Sequence, residues 1–176
     1  MPMSRVSANV TALATALLER APELAGQLAE RIAKQVDVYA EGGPVPREDL
    51  YESCRDNVEF IFAHLGDADP HDLSAPRRTG RRRAEQGAPL AAVASAYRIG
   101  FAFVWGCVID EARRSGAVSD AELLRAASDV WTLNEMFTAE MMAAYRDTLT
   151  EQALQRDQER FRAIFARLLS GSGVVG

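Results

Sequence analysis

From Ser119 to about Leu169 the chain contains neither proline nor glycine. An uninterrupted stretch of that length exceeds any ordinary strand and is a helix. Within it Leu123, Ala127, Val130, Asn134, Phe137, Met141 and Ala144 recur at alternating spacings of four and three, the pattern of a coiled-coil seam. Asn134 is the polar member of that seam, and a polar seam residue sets register or subunit pairing. Residues 150–160 (TEQALQRDQER) are then too polar to pack into a core, yet carry no helix breaker. Beyond them Phe161, Ile164, Phe165 and Leu168 restore one apolar stripe. The expectation is a helix that leaves the body of the domain and pairs with its counterpart in a homodimer, serving as a signalling helix.

The remaining segments also show helical rather than alternating periodicity. Residues 7–21 are rich in Ala and Leu and stop at Pro22. Residues 23–41 place Leu24, Leu28, Ile32, Val36 and Tyr39 on one face, ended by Gly42-Gly43-Pro44. Pro46 opens the next helix, with Glu48 and Asp49 in its first turn and a stripe of Leu50, Cys54, Val58, Ile61 and Leu65. Residues 66–74 are turn-rich, Ser74 is placed to cap a helix that ends at Gly87, and Gln86-Gly87-Ala88-Pro89 reads as a tight corner. Residues 89–115 form the most apolar element and are hydrophobic on nearly all sides between Phe101 and Ile109, as expected of a helix in the middle of a fold. Gly116 breaks it, and Ser119 with Glu122 has the capping-box pattern. The fold class is therefore all-α, a bundle of six to seven helices. Residues 1–149 form a sensor and dimerisation domain, 150–170 the signalling helix, and 171–176 (GSGVVG) a flexible end beyond which further domains are expected.

Hydrophobic residues at 48% and charged residues at 26% describe a globular chain. The net charge of −5 argues against broad attraction to nucleic acid or anionic lipid. Cys54 and Cys107 form no CxxC, so they read as structural, unpaired thiols in a reducing cytoplasm. No charged segment followed by an apolar run opens the chain. The apolar stretch 99–109, bounded by Arg98 and Asp110, is shorter than a membrane span.

Catalytic machinery is hard to assemble. His64 and His71 lack a second histidine or cysteine at ligand spacing, which argues against zinc and leaves His64 as the one conceivable haem ligand. No nucleophile elbow, P-loop or dinucleotide fingerprint is present. The expectation is no enzyme, no metal and no cofactor. Arg77, Arg78, Arg81, Arg82 and Arg83 are the densest charge; without them the chain would carry −10, and no aromatic residues are interleaved. Pairing with acidic helices of the same fold or of a partner subunit is favoured over nucleic-acid contact. Tyr97 and Arg98 lie just before the most apolar stretch, where Arg98 either pairs with a carboxylate or reads an acidic ligand. Trp105 and Trp131 line the same core or, alternatively, a ligand cavity.

The string at 82–100, RRAEQGAPLAAVASAYRIG, with VPREDLYESCRDNVEFI upstream and VWTLNEMFTAEMMAAYRD downstream, resembles the amino-terminal domain of actinobacterial PucR/CdaR-type transcriptional regulators. That domain is related to the amino-terminal domain of the RsbR-type co-antagonists of stress signalling. The resemblance implies a helical sensory module related to dimeric non-haem globins, with no catalytic residues, followed in a full regulator by a helix-turn-helix. A non-enzymatic regulatory domain is thus expected, relaying a signal through its last helix to a DNA-binding output. A stressosome-like protein-interaction domain is the second reading, and a haem or gas sensor the third.

Overall fold

The computed structural model describes residues 7–66 and 72–171. His71, most of the loop expected at 66–74 and nearly all of the end expected at 171–176 lie outside them. Among the described residues there are six α-helices, one 3-10 turn and no strand. The all-α class follows from the periodicity of the sequence.

Helix α1 (Ala8–Glu19) starts at Ser7, whose hydroxyl accepts from the Val10 amide at 3.2 Å. Pro22 does not stop it. The break falls at Arg20, and Pro22 sits in the first turn of α2 (Ala21–Gln35), where its missing N–H is no loss. α2 is shorter than its periodicity suggested. β-branched Val36 is extended, and Asp37–Tyr39 forms a 3-10 turn that still brings Tyr39 into the core.

α3 (Arg47–Gly66) and α4 (Ser74–Glu85) follow. Ser74 is not the cap of α4: Asp72 Oδ1 accepts from the Ser74 amide at 2.9 Å, while the Ser74 hydroxyl accepts from Arg78. The corner after α4 turns through Gly87, whose φ of +71° is the left-handed conformation glycine adopts at little cost. α5 (Leu90–Ser115) ends on Gly116, also left-handed.

α6 (Asp120–Gly171) is 52 residues long, or about 78 Å at 1.5 Å per residue. Its capping box is formed: the Ser119 amide donates to Glu122 Oε2 at 2.8 Å, and the Glu122 amide to Ser119 Oγ at 3.3 Å. Hydrogen bonds from Ser7 and Ser119 hold the Glu122 carboxyl down at about 2.

The core joins α1, α2, α3, α5 and the first half of α6, with α4 packed mainly on α6. α6 buries Ala126, Val130, Leu133, Phe137, Met141, Tyr145 and Thr148. Val130, Phe137 and Met141 belong to the expected seam, but Leu133 and Tyr145 replace Asn134 and Ala144 at its centre. The reason is that this face of α6 packs on α4, α5 and α3 of the same chain rather than on a single parallel helix. α5 is long and apolar enough to cross a membrane by length and composition, although the stretch from 99 to 109 alone is not. It packs on α1, α2 and α6 through residues such as Val93, Phe101, Val104 and Val108. It does not lie in the middle of the fold throughout: Ala102 is exposed, and Trp105, Gly106 and Ile109 are half-buried.

Candidate functional site

Where α2, α3, α4, α5 and α6 converge they line a partly open cavity of about 60 Å³. Leu28, Ile32, Val58, Phe101, Val104 and Phe137 line it, and its surface is almost wholly apolar. Ser53 and Asn57 from α3, Thr79 and Arg83 from α4, and Tyr97 from α5 border it while turning their polar atoms away from it. These polar groups sit on the packed faces of amphipathic helices, so their hydrogen bonds must be made with one another. The Tyr97 hydroxyl donates to Asn57 Oδ1 at 3.2 Å, and Asn57 Nδ2 donates to Thr79 Oγ1 at 3.1 Å. Arg83 is 1% exposed. It donates to Gln86 Oε1 at 2.7 Å, to the Asp49 carbonyl at 3.1 Å and to Ser53 Oγ at 2.9 Å. Its guanidinium also stands 5.6 Å from the centre of the Tyr39 ring.

Burial raises the Tyr97 hydroxyl above its ordinary range, and burial raises Tyr39 against the opposing pull of Arg83. The Cys54 thiol beside the cavity is pushed up to about 12 by burial. Both cysteines are free thiols, with Cys54 buried and Cys107 half-buried. A buried thiol held protonated is a packing group, not a nucleophile.

Of the residues expected from sequence to line a pocket, Tyr97 does so. Arg98, one residue on, is exposed and pairs with no described residue, because a step of one along a helix turns the side chain by about 100°. Trp105 packs half-buried at the edge of the core, outside the cavity. Trp131 is 66% exposed and lines nothing, since the buried face of α6 runs through Val130 and Leu133 instead. Asn134 is half-buried, its Oδ1 3.4 Å from the Thr138 hydroxyl. His64 is half-buried, hydrogen-bonded through Nδ1 to the Phe60 carbonyl and stacked on the Phe60 ring at 3.7 Å.

Sequence reading missed Arg83 and Asn57. Arg83 had a signal: it continues the small-residue spacing Pro76, Thr79 or Gly80, then 83, and so falls on the buried face. The other arginines of the run are on the outside. Arg77 pairs with Glu140 at 2.7 Å, Arg78 with Asp56 at 3.0 Å, and Arg82 with Asp49 at 2.6 Å and Glu52 at 3.0 Å. They tie α4 to α3 and α6 within one chain, as the charge pattern suggested.

A second feature lies at the far end of α6. Residues 150–170 are exposed apart from half-buried Gln152. Leu154, Phe161 and Leu168 recur every seven residues with Ile164 between them, and with Phe165 they are 55–67% exposed.

The family of the RsbT co-antagonist protein rsbRD N-terminal domain matches residues 22–160, most of the chain. The chain belongs to that family. As an rsbRD-type N-terminal domain it is a regulatory domain, and the match takes in the cavity but ends before Phe161, within the protruding part of α6. The PucR/CdaR context suggested by residues 82–100 is not part of this match. No curated protein and no solved structure matches the chain, so the globin kinship gains no support from comparison.

Proposed function

We propose that this rsbRD-type domain is a non-enzymatic, homodimeric, cytoplasmic regulatory module that relays a signal along α6 to a downstream output. The observation that carries this reading is the apolar heptad stripe Leu154, Phe161, Ile164 and Leu168 on a helix that leaves the bundle. A lone helix with such a stripe exposes its apolar face to water, and a second copy covers it with matched spacing. Leu124 and Trp131, seven residues apart and 73% and 66% exposed, extend apolar surface along the first half of α6. Half-buried Trp105 and Ile109 on α5 add more.

Sedimentation at micromolar concentration is expected to give a dimer of the 19.2 kDa chain. Replacing Phe161 and Phe165 together with serine is expected to weaken the dimer by about a hundredfold or more. Circular dichroism of the same variant should retain the helical core through Tyr145. A wild-type monomer, or unfolding of the whole domain by the double change, would defeat the reading.

Two outputs fit a relay of this kind. The family match favours a stressosome-like protein-interaction role. The resemblance at residues 82–100 favours a transcriptional regulator with a helix-turn-helix. The gene sequence downstream of Gly176 separates them. In either case the domain itself is not a nucleic-acid face, because Arg77, Arg78 and Arg82 are engaged by its own carboxylates. Titration with duplex DNA at physiological salt should show no binding; tight binding lost in Arg81→Glu, Arg82→Glu would overturn that.

A further inference from the structure

The cavity where five helices meet offers nothing to a polar occupant. Its surface is almost wholly apolar. The polar side chains at its border are already satisfied by their neighbours. Arg83 is held by Gln86, Ser53, the Asp49 carbonyl and Tyr39, and Asn57 by Thr79 and Tyr97. Among the described residues no buried side-chain nitrogen or oxygen lacks a partner. The volume of about 60 Å³ would admit water by size, since one molecule needs only about 10–15 Å³. Chemistry excludes it: a held water needs about two to four polar partners, and this surface presents none. Dry space leaves the lining atoms without dispersion partners, and an apolar occupant restores those contacts.

A glycine keeps part of this space open. Gly100 lies inside α5 and lines the cavity. Glycine is a poorer helix former than alanine, so its use within a helix needs a reason. Close helix packing is not that reason, because a Cβ at Gly100 would meet Leu28 Cδ2 at 3.8 Å, an ordinary contact. Leu28 also lines the cavity. What a methyl group at position 100 would occupy is the room beside it.

The volume sets the size of the occupant. A cavity of ~150 Å³ lined by Leu, Ile and Phe admits the six carbons of benzene. In proportion, about 60 Å³ holds about two or three non-hydrogen atoms. We propose that this cavity is a binding site for a small uncharged apolar molecule of that size, a light hydrocarbon being the chemical class that fills it best. The half-buried residues Ser53, Asn57, Tyr97 and Gly100 place its opening on the α3 and α5 side. Leu28, Ile32, Val58 and Val104 face the occupant, and Phe137 brings α6 itself to the site. The site goes beyond the dimeric relay and is tested separately, because binding is measured whatever the oligomeric state.

The test is an NMR titration of the full chain, labelled at its methyl groups, with propane, xenon and 1-propanol as probes. Propane is expected to shift the methyls of Leu28, Ile32, Val58 and Val104 saturably, with Kd of about 1 mM, near the limit for so few atoms. Xenon should shift the same methyls and compete with propane. 1-Propanol should bind at least about tenfold more weakly than propane, because its hydroxyl would lose water and find no partner.

Gly100→Ala should weaken propane at least about fivefold. Gly106→Ala, on the same helix but outside the cavity and with nothing within 4 Å of its Cβ, should leave propane binding unchanged. The ranking of propane over 1-propanol in the parent chain decides the matter even where a variant fails to fold. Absence of saturable shifts at those methyls would overturn the proposal. So would 1-propanol binding as tightly as propane, or equal propane affinity in Gly100→Ala and Gly106→Ala.

Discussion

Gly80→Ala is expected to destabilise the domain by about 3 kcal/mol or more and to lower Tm by roughly 6–12 °C. On an exposed helix the same change stabilises by about 1 kcal/mol, because alanine is the better helix former. Here the sign reverses. A Cβ on Gly80 would stand 2.2 Å from the Met141 carbonyl oxygen and 3.1 Å from the Tyr145 amide nitrogen. These are backbone atoms of α6, so no side chain can swing aside and two helices must part. Parting them also disturbs the corner after α4, which is anchored where the Tyr145 hydroxyl donates to the Ala88 carbonyl at 2.8 Å. Thermal unfolding followed by circular dichroism reads the effect. An alanine variant as stable as the parent would show that α4 and α6 do not approach this closely.

Arg83→Ala should be of comparable size, about 3–4 kcal/mol, for a different reason. The change removes a large, fully buried side chain and leaves a void, and it strips a donor from Ser53 and from Gln86. Gln86 is then left to Asp49 alone. Arg83→Lys should lose about 2 kcal/mol, since one ammonium cannot span three acceptors set by a planar fork. Arg83→Met should fall between them or lower, because it fills the volume and removes the buried charge along with its partners' donor. Urea denaturation is the measurement, with a lower midpoint and an unchanged m-value. Equal stability of the alanine variant and the parent would mean that the guanidinium lies in water, not in the core.

The two predictions differ in how visible their residues are in the sequence. Arg83 carries the residue type of its neighbours, and Arg77, Arg78 and Arg82 do sit on the surface against carboxylates. Only the phase with Pro76 and Thr79 separates Arg83 from them, and a five-arginine run draws attention to charge rather than phase. Gly80 had no signal. Glycine inside a helix reads as a small defect until a second helix is brought against it. Asn57 stood one residue before Val58 in a recognisable stripe, but a polar residue beside an apolar face belongs equally to its rim or to its core.

What the amino-acid sequence determined by itself was everything governed by local chemistry. The all-α class, the left-handed stop at Gly116, the Ser119–Glu122 capping box and the unbroken course of α6 follow from residues within a few positions of one another. So does the apolar stripe Phe161, Ile164, Phe165 and Leu168, because the polarity at 150–160 before it bars the helix from continuing along a core, whereas Leu154 joined it only in the structure. Tertiary structure decided which faces found partners. Trp131 was left in water because α6 turned Val130 and Leu133 inward, and α5 kept an uncovered side because the neighbouring helices reach only part of its circumference. The cavity beside Arg83 exists only where five helices meet. Burial and close approach depend on the relative placement of segments far apart in the chain, and periodicity within one helix carries no record of that placement.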